Sequence, residues 1–331
     1  MGYCPLPLMK IVSAILITAI FVLPGCSPPA KRDQITVAVT TANIAGLFFV
    51  AGAGSLFEKN GLSATMKKYQ AGPQSLKELV SGKADVATLA DFPFVANSLE
   101  RGNLRIVCTT ARGGGMQIVA RRDSNIVKAE DLVGKTVAVP KGTIAQFFLG
   151  AYCQRNGVSY EKLHVVYMPP QELVDAIKKN SVSAACVWSP FIEQIRDHLG
   201  NDGVILPSSG RTDYYALLVT RDDVLKEKPA VIERLLRTMF DAEAYVRRHP
   251  DEAMQIVAKE TGLTLDQVRR GWPENKYEVK LDQDLITLME AEAHWMIKNK
   301  LTERKEMPNY LDMIDLKELH RVKPDAVGII H

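Results

Sequence analysis

The sequence predicts an α/β protein of two units, each a mainly parallel sheet covered by helices on both faces. Three observations predict it. Strand-length apolar runs alternate with helical runs from residue 35 to residue 219. The strand runs are apolar along their whole length, as strands buried on both faces are. A chain of 331 residues with 47% hydrophobic content is long enough for two ordinary cores. The balance of 41 basic against 38 acidic residues gives +3 with no dense basic run, so nucleic acid is not indicated as a partner.

In chain order, residues 35–39 read as a strand and 46–59 as an apolar helix closed by Asn60-Gly61. Residues 64–69 are a strand, 74–81 a helix with Leu76, Leu79 and Val80 on one face, and 85–89 a strand. A helix near 93–101 and a strand over 104–108 complete the first unit. Ligands on such sheets sit beyond the carboxyl ends of the strands. Those ends are Thr40-Thr41-Ala42-Asn43, Ala90-Asp91-Phe92 and Thr109-Thr110-Ala111-Arg112. The run Gly113-Gly114-Gly115 lacks the spacing of a phosphate loop and reads as a crossing into the second unit.

The second unit repeats the pattern. Residues 116–120, 136–139, 163–168 and 183–187 read as strands, with helices from 143, over 170–179 and from Pro190 to about 199. The segment Ser208-Ser209-Gly210-Arg211 reads as a second crossing, 214–219 as a returning strand, and 229–323 as mostly helical. The stretch Val139-Pro140-Lys141-Gly142-Thr143 joins a buried strand to a helix. Thr143 is placed as N-cap, and Gly142, the helix N–H groups and the Lys141 ammonium all favour an anion.

After Met9-Lys10 an apolar run over 11–23 suits a signal-peptide core and is short of a membrane span of roughly 20 residues. It ends at Leu23-Pro24-Gly25-Cys26, which resembles the lipobox of bacterial lipoproteins. Residues 1–25 are therefore expected to be a signal peptide, with Met1 or Met9 as its start, Cys26 the lipidated mature N-terminus and 26–34 a tether. The cysteines lack C-x-x-C spacing and the six histidines are scattered, so no metal or cofactor is expected. Cys108 and Cys186 read as small buried hydrophobes, with a pairing of Cys153 and Cys186 left open.

Four stretches carry a family resemblance: Gly82-Lys83-Ala84-Asp85-Val86-Ala87, residues 130–143 from Glu130-Asp131-Leu132 to Lys141-Gly142-Thr143, residues 171–177, and Trp188-Ser189-Pro190. The chain resembles the substrate-binding lipoproteins of ABC importers, in the nitrate, taurine, aliphatic sulfonate and thiamine-precursor group. It departs at Asn180-Ser181-Val182-Ser183-Ala184, where the group shows Gly-x-x-Asp-Ala, and at Asn43-Ile44-Ala45-Gly46, where the group has a proline.

The resemblance implies the type II periplasmic-binding-protein fold: two lobes, two hinge crossings, and a small solute enclosed as the lobes close. Lobe 1 would span 35–112 and 213–331, and lobe 2 would span 116–207. Lys141, Gly142 and Thr143 would hold the anionic head, faced by Thr40, Thr41 and Asn43 from the other lobe. Asp91 and Phe92 lie at another edge, Asp91 as a partner for an amine or pyrimidine nitrogen or else as an exposed loop carboxylate. Arg112 would clamp a carboxylate or sulfonate, or stay solvated at the crossing. Trp188 would form a stacking wall or fill the core, and Tyr214 or Tyr215 would face the cleft. The implied protein is an exported, lipid-anchored monomer, not an enzyme, that hands an anionic or amine-containing ligand to an ABC permease. The alternatives are a thiamine-pyrimidine synthase-like enzyme on the same fold and a sensory ligand-binding module.

Overall fold

Strand β1 (Asp33–Thr40) is the middle of a parallel trio, pairing with β2 (Leu62–Tyr69) along its full length and with β3 (Val86–Ala90) at Val37 and Ala38. The links are α1 (Gly46–Ala53), α2 (Leu56–Lys59) and α3 (Gly72–Val80), and β3 runs directly into α4 (Asp91–Ser98). β4 (Leu104–Gly113) then leads through a two-glycine crossing to β5 (Gln117–Arg121). From here the chain builds a second sheet from β6 (Thr136–Val139), β7 (His164–Tyr167), β8 (Ala184–Val187) and β9 (Gly203–Ile205), linked by α5 (Ile144–Arg155), α6 (Pro170–Lys178) and α7 (Phe191–Leu199). It returns at β10 (Tyr214–Arg221) and continues through α8 (Asp222–Glu227), α9 (Pro229–Arg248), α10 (Pro250–Thr261), α11 (Leu265–Gly271), β11 (Asn275–Asp282), α12 (Gln283–Lys298), α13 (Leu316–Val322) and β12 (Val327–Gly328).

The computed structural model describes residues 1–4, 32–207 and 213–330; the leader, Cys26 and the 208–211 crossing lie outside the described residues. Residues 1–4 are exposed and carry no regular structure. Residues 32–331 form one compact unit holding both sheets. The seven-stranded sheet has the order β12-β11-β4-β10-β3-β1-β2 and the five-stranded sheet β7-β6-β8-β5-β9. The parallel pairings expected from the alternation form one side of each sheet. β10 runs antiparallel to both β3 and β4, and β5 antiparallel to β8 and β9. No helix among the described residues is long and apolar enough to cross a membrane.

Two local readings are corrected. The helix expected over 46–59 is broken, because Gly52 and Gly54 hold a helix weakly; Ser55 turns left-handed (φ 52°) and α2 restarts at Leu56. The stretch after 229 is not wholly helical. Tyr277, Val279 and Leu281 alternate with Lys276, Glu278 and Lys280, a period-two pattern that adds β11 beside β4. Cys108, Cys153 and Cys186 are buried free thiols, so the 153–186 pairing is absent.

Four aromatic rings tie the helix α5 to the seven-stranded side. Phe147 stacks on Phe92 at 5.8 Å and meets Trp295 edge-on at 5.6 Å, while Tyr160 meets the same indole at 5.7 Å. Such pairs add about 0.5–1.5 kcal/mol each beyond the area they bury. Gly150 of α5 is where the indole lands; a Cβ there would stand 2.2 Å from its ring.

Beside this cluster lie two fully buried carboxyls. Asp91 accepts the N–H of Tyr215 at 2.7 Å and that of Phe92 at 2.9 Å, and Glu292 stands against it with neither oxygen otherwise partnered. Burial pushes Asp91 up to about 7, against the two N–H bonds that favour its anion, and pushes Glu292 well above the usual carboxylate range, helped by the Asp91 charge. The proton of the pair therefore belongs to Glu292. Raised carboxyls give full stability below the unfolded value near 4.3 and lose it as pH rises toward the shifted values. The melting temperature of the wild type is expected to fall between pH 5 and pH 8. The Glu292→Gln variant keeps a donor toward Asp91 without a titrating proton. Its pH profile, followed by circular dichroism, should be flatter by up to ~1.4 kcal/mol per pH unit, with a higher melting temperature at pH 8. Parallel profiles for the two proteins would refute the assignment.

Candidate ligand site

Both sheets point strand ends at one buried cavity of ≈ 40 Å³. Thr40 ends β1, Ala90 ends β3, the first residues of α5 follow β6, Trp188 follows β8, and Tyr214 opens β10. The space suffices for a few atoms and its walls are mostly apolar, with Ile44, Leu89, Met116 and Ile144 among them.

The polar groups in that wall are hydroxyls, and their hydrogen bonds decide which can donate. Thr40 Oγ1 gives its hydrogen to the Thr88 carbonyl at 2.8 Å, and its backbone N–H donates to Thr88 Oγ1 at 3.1 Å. Thr143 Oγ1 donates to the Pro140 carbonyl at 2.7 Å, so its side chain does not cap α5 as its position suggested. Thr88 keeps its own hydrogen. So does Tyr214, whose phenol burial holds neutral, pushed further up by the Asp91 and Glu274 charges. Along with these two donors, Thr143 and Ile144 bring the start of α5 to the wall, where the first N–H groups of a helix have no intrahelical partner. The cavity thus offers dipoles and hydroxyls to an anion, with no cationic side chain among its lining residues.

Of the residues named from sequence, Thr40, Thr143, Trp188 and Tyr214 meet here. Asn43 lies on the adjoining compartment of ≈ 110 Å³, with Trp188 and Tyr214 as the shared wall. The others are displaced, each for a stated reason. Asp91 is fully buried and committed to Tyr215, so it is neither an exposed loop carboxylate nor a partner for a ligand amine. Phe92 is spent on Phe147 and Trp295. Arg112 donates to Asp213 through Nε at 3.0 Å and Nη2 at 2.9 Å and lies over the Tyr215 ring, so its fork is already filled. Lys141 is exposed with Nζ 5.7 Å from the Tyr167 ring centre. Gly142 adopts φ 68°, donates its N–H to Gln146 Oε1 at 2.8 Å and faces Pro73 on the outer surface. Thr41 is half-buried, its N–H taken by the Tyr69 carbonyl at 2.7 Å.

Sequence reasoning missed Thr88, Ile44 and Met116. Thr88 is a hydroxyl inside an otherwise apolar strand two residues before its carboxyl end, a signal that was open to reading. Met116 sits one residue past the glycine run, where a crossing must pass the cleft. Ile44 gives no such sign.

Two facing α/β sheets joined by crossings, with a buried cavity at their strand ends, define the periplasmic-binding-protein fold. The chain belongs to the NMT1/THI5-like family, whose model matches residues 41–253. A putative binding protein of Brucella abortus is 24% identical over 216 residues, 63% of this chain and 66% of that relative's length. The taurine-binding periplasmic protein of Escherichia coli is 23% identical over 228 residues, 67% of this chain and 69% of its own. Among solved structures, the alkanesulfonate-binding protein SsuA from Xanthomonas axonopodis pv. citri, bound to MOPS, superposes with a TM-score of 0.76 at 19% identity. That alignment covers 86% of this chain and 99% of that one, and shows a shared fold.

Gly113 holds the geometry of this wall. A Cβ there would stand 2.9 Å from the Tyr214 ring and 3.0 Å from Ile44 Cδ1. Gly113→Val should push both side chains into the cavity and weaken ligand binding by at least ~10-fold, for a melting-point loss of a few degrees. Isothermal titration of wild type and variant measures it, and unchanged affinity would contradict the arrangement.

Proposed function

We propose that the chain is an extracytoplasmic solute-binding protein that captures a small sulfonate-type anion between its two sheets and delivers it to an ABC importer. The observation that carries this is the enclosed cavity at the carboxyl ends of both sheets, where the start of α5 lines a wall with neutral donors. Sheet closure around a solute selects the form a permease reads. Lobe 1 is taken as 35–112 with 213–331, and lobe 2 as 116–207. Thr40, Thr143, Trp188, Tyr214 and Asn43 are kept as ligand contacts, with Thr88 added. Export on the signal peptide 1–25 and lipidation at Cys26 would hold the protein on the outer face of a membrane as a monomer. The relatives named above are binding proteins, which supports binding over catalysis; incubation of each ligand with the protein should return it unchanged.

A thermal-shift screen of lipid-free protein against alkanesulfonates, taurine, nitrate and thiamine pyrimidine precursors tests the reading. A sulfonate at 100 times its Kd should stabilise the fold by ~2.7 kcal/mol. Thr88→Val keeps the shape of the wall and removes a donor, so affinity should drop ~10-fold or more at a cost of ~1 kcal/mol in apo stability. The absence of any sulfonate shift at millimolar concentration would end the proposal.

A further inference from the structure

Two carboxyls lie under the rings that join the two sheets. Asp91 precedes Phe92 at the start of α4, and Glu292 stands three residues before Trp295 on one face of α12; both carboxyls are fully buried. Phe92 and Trp295 are in turn covered from the second sheet. Phe147 of α5 lies at 5.8 Å from the first ring and 5.6 Å from the second, and Tyr160 meets the indole at 5.7 Å. Part of the wall that keeps the pair dry thus belongs to the other side of the cleft.

Little offsets the pair from within. From β10, Asp91 receives the Tyr215 N–H at 2.7 Å and faces the neutral Tyr214 phenol. From the turn at 310–313, the Tyr310 phenol faces Glu292, with Glu290 on its far side. From α5 comes Phe147, which carries no charge. No basic side chain among the described residues pairs with either carboxyl, and both oxygens of Glu292 are buried without a hydrogen-bond partner.

A carboxyl so placed keeps its proton because burial disfavours the anion. Opening of the cleft carries Phe147 and Tyr160 away from Trp295 and brings water toward the pair, which weakens that bias. The closed form therefore holds the proton more tightly than the open form, and by linkage the proton favours closure.

We propose that the Asp91–Glu292 pair is a proton switch on cleft closure, so that capture of a solute takes up a proton and weakens as pH rises. The inference rests on the sulfonate-binding reading above for its ligand, and it uses no side chain that touches one. Because the closed form has the higher carboxyl values, its advantage is full below the open-form values and is lost as pH rises through about 7 and above.

Propanesulfonate keeps one charge across the range, so titrating it into the protein reads the protein's own protons. Its affinity for wild type, by isothermal titration, should fall at least ~5-fold between pH 6 and pH 9; one proton sets a ceiling of about tenfold per pH unit. At pH 7, heats in phosphate and in imidazole, neither of them a sulfonate, should differ by an uptake of about 0.3–1 proton per ligand. Glu292→Gln should lose the uptake and hold its affinity within ~2-fold over the same range. Circular dichroism checks its fold, and if it does not fold, Glu292→Met carries the same expectation. No uptake by wild type, or the same uptake and slope in the variant, overturns the switch and leaves sulfonate binding standing. If propanesulfonate binds at no pH, the functional reading falls, and small-angle scattering of the ligand-free protein decides the switch alone. The radius of gyration should grow by about 1 Å from pH 6 to pH 9 in wild type and not in the variant, and equal radii overturn it.

Discussion

The seat of the Trp295 indole on Gly150 fixes where the start of α5 stands. The indole occupies the space a side chain would fill at that position, so α5 comes within direct contact of α4 and α12. Without that contact, the N–H groups at Thr143 and Ile144 would have no fixed relation to Thr88 and Tyr214, which belong to the other sheet. A few aromatic contacts of about 1 kcal/mol each are the right size for this task. They are strong enough to set an arrangement of the two sides. The cleft is therefore a place where the two sheets meet through a cluster of rings, Phe92, Phe147, Tyr160 and Trp295.

The choice of donors in the cavity follows from its mostly apolar walls. A lysine ammonium in so apolar a space would cost several kcal/mol to desolvate before any ligand arrived. Helix N–H groups and hydroxyls carry a smaller cost, because the peptide dipoles are held by α5 and Thr88 and Tyr214 stay neutral. Lys141 standing outside over Tyr167 fits this logic. Charged side chains line the adjoining compartment instead, where Glu274, Arg196 and Arg270 stand with Glu193, whose Oε2 is buried.

Much of the fold could be read from the sequence because burial on both faces writes itself as apolar runs, uninterrupted in β8 and broken only by Thr88 in β3. The break in α1 was equally written, in Gly52 and Gly54, but a long apolar stretch outweighed it. β11 was hidden by its neighbours, since a lone alternating strand between long helices is a weak signal. The site was legible as backbone and not as side chains. Strand ends located Thr40, Thr143, Trp188 and Tyr214, because topology decides where carboxyl edges meet. Direction is decided by long-range partners that sequence does not show. Asp91 turns inward because the returning N–H of Tyr215, 124 residues away, is there to receive it. Arg112 is held 101 residues away by Asp213.

The buried carboxyl pair shows how the same contacts serve both stability and the site. Asp91 keeps its anion on the Tyr215 N–H, one residue beyond the Tyr214 that walls the cavity, so the start of β10 is held beside that cavity. Such a pin works only while Asp91 accepts hydrogen bonds, and a second negative charge at Glu292 would strain it. Keeping the proton on Glu292 resolves the conflict: the protonated oxygen can donate toward Asp91 and leaves one net charge in the core. That charge has two N–H donors at close range and lies against the start of α4, whose dipole favours it. A wholly apolar pair here would pack as well and position Tyr214 less firmly, since apolar contacts lack the direction that a 2.7 Å bond to a backbone N–H imposes on the start of β10.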